Sequence, residues 1–203
     1  MFQDAFDKLE LEEIAIILDR VNSEIEGVDF DPVNTVIMAV DMPFYPGYRF
    51  LDIADHTNSP PTQRFVLLSD ERFSVLNFSN EPIYALNREL PIKLSKDPVL
   101  DYMRFFFAYV RGRHGRFLVV EYVDDIAWKD DPPPPARKAI GKMLKPLKLT
   151  NKDGEPFQTE TTMVFKDSLF SATITATPEG MVSLTDEELL IEDMPVLDDV
   201  FGQ

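Results

Sequence analysis

The chain has 203 residues, 44% of them hydrophobic and 28% charged, with 36 acids against 20 lysines and arginines and a formal net charge of −16. This length and composition fit one globular domain, or a domain with a small subdomain, and exclude wholesale disorder. The absence of cysteine removes disulfides, thiolate zinc sites and cysteine nucleophiles, and the acidic balance disfavours nucleic-acid backbones and anionic lipid surfaces as partners.

Residues 4–26 are expected to form an amphipathic helix, because Leu11, Ile14, Leu18, Val21 and Ile25 recur at steps of three and four. Gly27 suits its stop. Val33 to Val40 reads as a buried strand, and Pro46-Gly47 fits the centre of a type II turn before a second strand from Tyr48 to Ile53. Phe44, Tyr45 and Tyr48 read as a turn clamped by its own rings, with ligand contact as the rival reading. Residues 63–68 and 73–78 flank Ser69-Asp70-Glu71-Arg72 and predict a hairpin. A short helix should begin near Asn80 and end before Leu90-Pro91.

The clearest helix starts at Pro98, with Asp97 as the expected N-cap and Gly112 as the glycine that ends it. Phe117 to Val123 returns to strand. Asp131 and Pro132 to Pro135 read as a stiff spacer, followed by a short helix at 136–144. Strands are then expected at 147–150, 157–165, 169–177 and 181–185, with an alternating hydroxyl face at Ser171, Thr173, Thr175 and Thr177. From Asp186 to Gln203 the chain carries no basic residue and reads as a partly mobile acidic tail. The expected class is therefore α+β: an N-terminal helix, a mainly antiparallel sheet with a packed aromatic helix, then a C-terminal β-meander. The expected division is an α+β domain over 1–130, a linker at 131–136, a β-rich subdomain or sheet extension over 137–190, and an acidic tail over 191–203.

Four arginines and one of the two histidines fall between Arg104 and Arg116 without a single acid. A helix running to Arg111 would place Arg104 and Arg111 on one face across Ala108, with Tyr102, Phe105 and Tyr109 as a boundary stripe. Two readings follow. The arginines pair with the chain's own acids and complement the helix C-terminus, or Arg104, Tyr109, Arg111, Arg113, His114 and Arg116 receive a carboxylate or phosphate. A second basic island spans Arg137 to Lys152 and reads as a solvated face, with polyanion docking as its rival. Asp52, Asp55 and His56 form the one carboxylate–histidine cluster, and turn capping explains it more simply than a metal.

No Gly-x-Ser-x-Gly elbow and no glycine-rich phosphate loop occurs, so neither a cofactor nor a metal is expected. The N-terminus has no signal-peptide pattern, and no apolar run approaches the ~20 residues that span a bilayer. The expected function is a non-catalytic, cytoplasmic binding or regulatory protein that contacts a protein partner or a small anionic ligand, without direct nucleic-acid or membrane binding. An enzyme using arginines to bind a small anionic substrate and histidine for acid–base work is the first alternative. An acidic mimic of nucleic acid that binds a basic partner is the second.

Overall fold

The computed structural model describes residues 6–90, 92–151 and 156–197. It is an α+β structure of two compact units, 1–77 and 78–203, each with its own antiparallel sheet.

The first unit carries β1 (Asp7–Lys8), α1 (Leu11–Glu24), β2 (Thr35–Asp41), β3 (Arg49–Asp55), β4 (Thr62–Leu68) and β5 (Phe73–Leu76), its strands paired in chain order. The helical stripe buries Ile14, Ile17, Leu18 and Val21 against Ile37, Ala39, Leu51, Ile53 and Val66. Each such side chain removed from water contributes roughly 1.5–3 kcal/mol. Leu11, expected on that stripe, is the first residue of the helix and is exposed. Residues 7–8, expected within the helix, pair instead with Met38 and Ala39. Arg49 donates to Glu13 at 2.5 Å and ties the start of α1 to β3. Between β2 and β3, Gly47 at φ +81 supplies the left-handed turn position, and Tyr48 N–H donates to the Tyr45 carbonyl. Phe44, Tyr45 and Tyr48 are buried with their rings in contact, as expected for a self-clamped turn.

The second unit contains α2 (Glu81–Glu89), α3 (Pro98–Tyr109), β6 (Phe117–Val119), α4 (Pro134–Gly141), β7 (Phe157–Phe165), β8 (Ser168–Ala176) and β9 (Val182–Ile191), with a 3-10 turn at Val123–Asp125. Its sheet runs β6-β7-β8-β9. Asp97 precedes α3 as expected, yet its side chain makes no capping hydrogen bond. Val99, Tyr102, Met103, Phe105, Phe106 and Phe107 are all buried, so Tyr102 and Phe105 belong to the core rather than to a boundary. A helix apolar on nearly every side is an interior helix.

The proline segment 131–136 lies within this unit. Pro134 and Pro135 open α4, where their missing N–H groups cost nothing. Ile140 of that helix packs with Val120 and Ile126 from before the prolines and with Val164 and Leu169 from after them. One core thus spans the residues expected to act as a spacer. The acidic residues Asp186 to Glu188, expected in a mobile tail, belong to β9, an edge strand paired with β8 through register shifts that accommodate a left-handed Asp186. Acids and a bulge on an edge discourage pairing with other chains. Residues 198–203 of the expected tail lie outside the described residues.

One buried joint of this unit is polar. The Tyr102 hydroxyl donates to the Gly180 carbonyl at 2.7 Å and accepts from Asn87 Nδ2 at 2.9 Å. Gly180 sits at φ +80, and a Cβ there would stand 2.4 Å from Asn87 Nδ2 and 2.8 Å from the Tyr102 hydroxyl. Gly180→Ala is therefore expected to destabilise the protein by at least about 2 kcal/mol in urea denaturation. An unchanged midpoint would show that the joint is not sterically closed.

Candidate functional site: an arginine hairpin

The cationic island does not remain helical to Arg111. The helix α3 stops at Tyr109, and Val110 turns extended (φ −116, ψ 132). Arg111 N–H then donates to the Phe78 carbonyl at 2.7 Å. Arg104 and Arg111 consequently do not share a helix face, and Gly112 is not the residue that ends the helix. It opens a hairpin instead. Gly112 and Gly115 exchange both backbone hydrogen bonds, at 2.8 and 3.2 Å, leaving Arg113 and His114 as a two-residue tip.

This geometry separates the six candidate residues into three groups. Arg104, in mid-helix, is consumed internally. Its Nε and Nη2 grip both oxygens of buried Glu121 at 2.8 and 2.9 Å, and Nη1 donates to Asp101 at 2.8 Å. Burial alone would lower its pKa, but those two carboxylates hold the guanidinium above its ordinary value. Glu121 also accepts Leu147 N–H at 3.0 Å, so one carboxylate ties α3 to the segment after α4.

Arg113 and His114 are exposed at the tip, with no described hydrogen bond or ion pair. Arg111, Arg116 and Tyr109 form the base. Arg111 and Arg116 occupy opposed positions on the two arms of the hairpin, and like charges so placed are unfavourable. The Arg111 guanidinium lies over the Phe78 ring at 4.3 Å. Its Nε and Nη2 are buried without a hydrogen-bond partner, whereas Nη1 is not enclosed. Burial pushes the Arg111 guanidinium below its ordinary value. Burial, and then the facing charge of Arg111, push Arg116 down to about 10, with Tyr109 acting in the opposite sense. Arg116 Nη1 donates to the Ala108 carbonyl at 2.5 Å, so it is Arg116 that completes the helix C-terminus.

Phe78 adds a further cost. It adopts φ 63, a left-handed conformation worth roughly 1–3 kcal/mol of strain in a bulky residue. The hairpin itself is seated on aromatic carbon: a Cβ on Gly115 would lie 2.9 Å from the Phe165 ring, which stacks on Phe117 at 4.5 Å. Sequence reasoning does not find Phe78, which is 33 positions before Arg111, or Glu121. The Gly-x-x-Gly spacing around Arg113-His114 is a legible hairpin signal once the helix is stopped at Tyr109.

The remaining candidates separate similarly. In the second basic island Arg137 pairs with Asp124 and Asp131, and Lys145 with Glu160, while Lys138, Lys142 and Lys148 are exposed and Lys152 lies outside the described residues. Asp55 caps its own turn by accepting Thr57 N–H at 2.8 Å. Asp52 accepts from Gln63 Nε2 at 2.7 Å, and His56 is exposed. Among the described residues no group of three or more histidines and acids is placed to hold a metal ion.

Two expectations follow. Arg104→Ala leaves Glu121 buried without its counter-ion and should cost about 3 kcal/mol or more in chemical denaturation. A loss under 1 kcal/mol would mean that Glu121 rehydrates. Asp52 is raised chiefly by burial, against the lowering effects of Gln63 and His56. Its contribution to stability is full below the ordinary aspartate range and is lost as pH rises through its elevated value. Asp52→Asn should then raise the melting temperature at neutral pH, with the gain fading in acid. A lower melting temperature at neutral pH would refute that account.

No helix among the described residues is long and apolar enough to cross a membrane. No family model, curated protein or solved structure matches this chain, so the chemistry of the hairpin is the ground on which its function is argued.

Proposed function

We propose that this is a non-catalytic cytoplasmic binding or regulatory protein that receives an acidic ligand or partner at the Arg111–Arg116 hairpin. The observation that carries the reading is the Arg111 guanidinium, with two buried donors lacking an acceptor. A buried donor without a partner costs about 1–3 kcal/mol. The chain has 36 acids that could have supplied one, as Glu121 does for Arg104. Strain at Phe78 and the opposed charge of Arg116 fall at the same place. Several local costs converging on one small region mark a site that stability alone would not have selected. An anion held at the open Nη1 would offset the charge of the facing arginines, Arg111 and Arg116.

This reading assigns Arg104 to the scaffold and Arg111, Arg116, Arg113, His114 and Tyr109 to the surface. Small anions should raise the melting temperature, since a ligand at 100 times its Kd stabilises by about 2.7 kcal/mol. Phosphate and citrate, each compared with sodium chloride at equal ionic strength, provide the measurement. Arg111→Met should abolish the shift while leaving the unliganded melting temperature unchanged or higher. A strongly destabilised Arg111→Met, or identical shifts in the variant, would place Arg111 in the scaffold and overturn the reading.

A further inference from the structure

Resting on that reading, we infer that the acidic partner is a second copy of this chain, the hairpin of one molecule meeting the acidic strand β9 of the other. The first ground is that the chain carries both halves of the contact. Gly112, Arg113 and His114 are exposed, and neither Arg113 nor His114 has a described hydrogen bond or ion pair. On β9, Asp186, Glu187 and Glu188 are exposed in turn, and Glu187 and Glu188 likewise have no described partner. No lysine, arginine or histidine occurs from Asp167 to Gln203, so β9 carries no base of its own.

The second ground is topology. The hairpin runs into β6 at one edge of the second unit's sheet, and β9 is the other edge, with β7 and β8 between them. The sheet thus holds arginines at one edge and acids at the other, and no described ion pair joins the two. A second copy supplies to each edge what that edge lacks. A two-fold pair engages both surfaces of both copies at once.

The third ground is how β9 presents its acids. Thr185 pairs with Thr173 and Glu188 with Ser171, so Asp186 and Glu187 together oppose the single residue Ala172. Asp186 adopts φ 55 at this bulge. A bulge takes a residue out of the ladder and re-aims the side chains beside it. It also hinders extension of the sheet through backbone pairing, which leaves contact between side chains: a carboxylate offered to a guanidinium fork. Arg113 can present that fork from the exposed tip, and Arg111 adds only its open Nη1, so the contact asks nothing of the enclosed Nε and Nη2. Each copy carries a net charge of −16, which opposes approach at long range. At about 0.15 M salt the Debye length of about 8 Å confines that repulsion, while pairs in direct contact persist.

The test is sedimentation velocity of the full chain at about 0.15 M salt over rising protein concentration. The mass should increase reversibly with concentration. Arg113→Glu and Glu187→Arg should each weaken association at least tenfold, because like charges then face one another. An equimolar mixture of the two variants should associate again, since each supplies the charge that the other has lost. Association should also disappear at about 1 M salt, where the Debye length is about 3 Å. A chain that stays monomeric at every concentration would overturn the inference. So would association that survives either charge reversal or 1 M salt, or a mixture that stays monomeric. A monomer that still shows the phosphate and citrate shifts abolished by Arg111→Met leaves anion binding at the hairpin standing. A monomer without those shifts removes both the inference and the reading beneath it.

Discussion

The Glu121 carboxylate is the constraint on which the second unit is organised. It is buried, and it accepts three donors: two from Arg104 and one from the backbone of Leu147. A charge in that position is tolerable only if its partners are fixed, so α3 and the segment 145–148 must both be held in place. The threonines of β7 hold the latter. Lys145 N–H donates to Thr162 Oγ1, Thr161 Oγ1 donates to the Lys145 carbonyl, and Lys148 N–H donates to Thr159 Oγ1. Thr159, Thr161 and Thr162 are fully buried, so their hydroxyls bind a neighbouring segment in place of water.

Arg104 and Arg111 belong to the same run of sequence and reach opposite outcomes. Arg104 is fixed by two carboxylates; Arg111 rests on an aromatic ring and faces another arginine. The difference arises at Val110, where the chain leaves the helix. One more helical residue would have kept Arg111 on the α3 cylinder. The extended Val110 instead sends it to pair with the backbone of Phe78 and starts the hairpin. The same backbone step thus produces a structural arginine before it and an unsatisfied one after it.

How far the sequence discloses this depends on the range of the forces involved. Local signals were sufficient for α1, the β4–β5 hairpin, the Pro46-Gly47 turn and the β-meander, because periodicity and turn chemistry act over a few residues. They failed where a distant group decides. The end of α3 is set by the Phe78 carbonyl, and the fate of Arg104 by Glu121, 17 positions away. The four prolines read as a spacer, since nothing local reveals that Ile140 closes a core with Val120 and Val164. The acidic segment after Thr185 read as a tail because an edge strand exposed on both faces lacks apolar alternation. Composition singles out the cationic island, but four arginines in thirteen residues could not show which were already paired.

For the anion binding proposed at the hairpin, the net charge of −16 would act on selectivity. At long range the molecule repels polyanions, and at physiological salt that field decays within about 8 Å. Attraction at Arg111 and Arg116 acts only at contact, where geometry matters more than total charge. A dense, continuous polyanion such as a nucleic-acid backbone must bring many charges close to an acidic body to reach the three arginines of the hairpin. A short acidic segment brings few. Repulsion by the body and attraction by the hairpin therefore discriminate in the same direction, since specificity is a difference between affinities and a repulsive surface contributes to it as fully as an attractive one. In the proposed recognition, the acidity of the chain and the cationic hairpin act together.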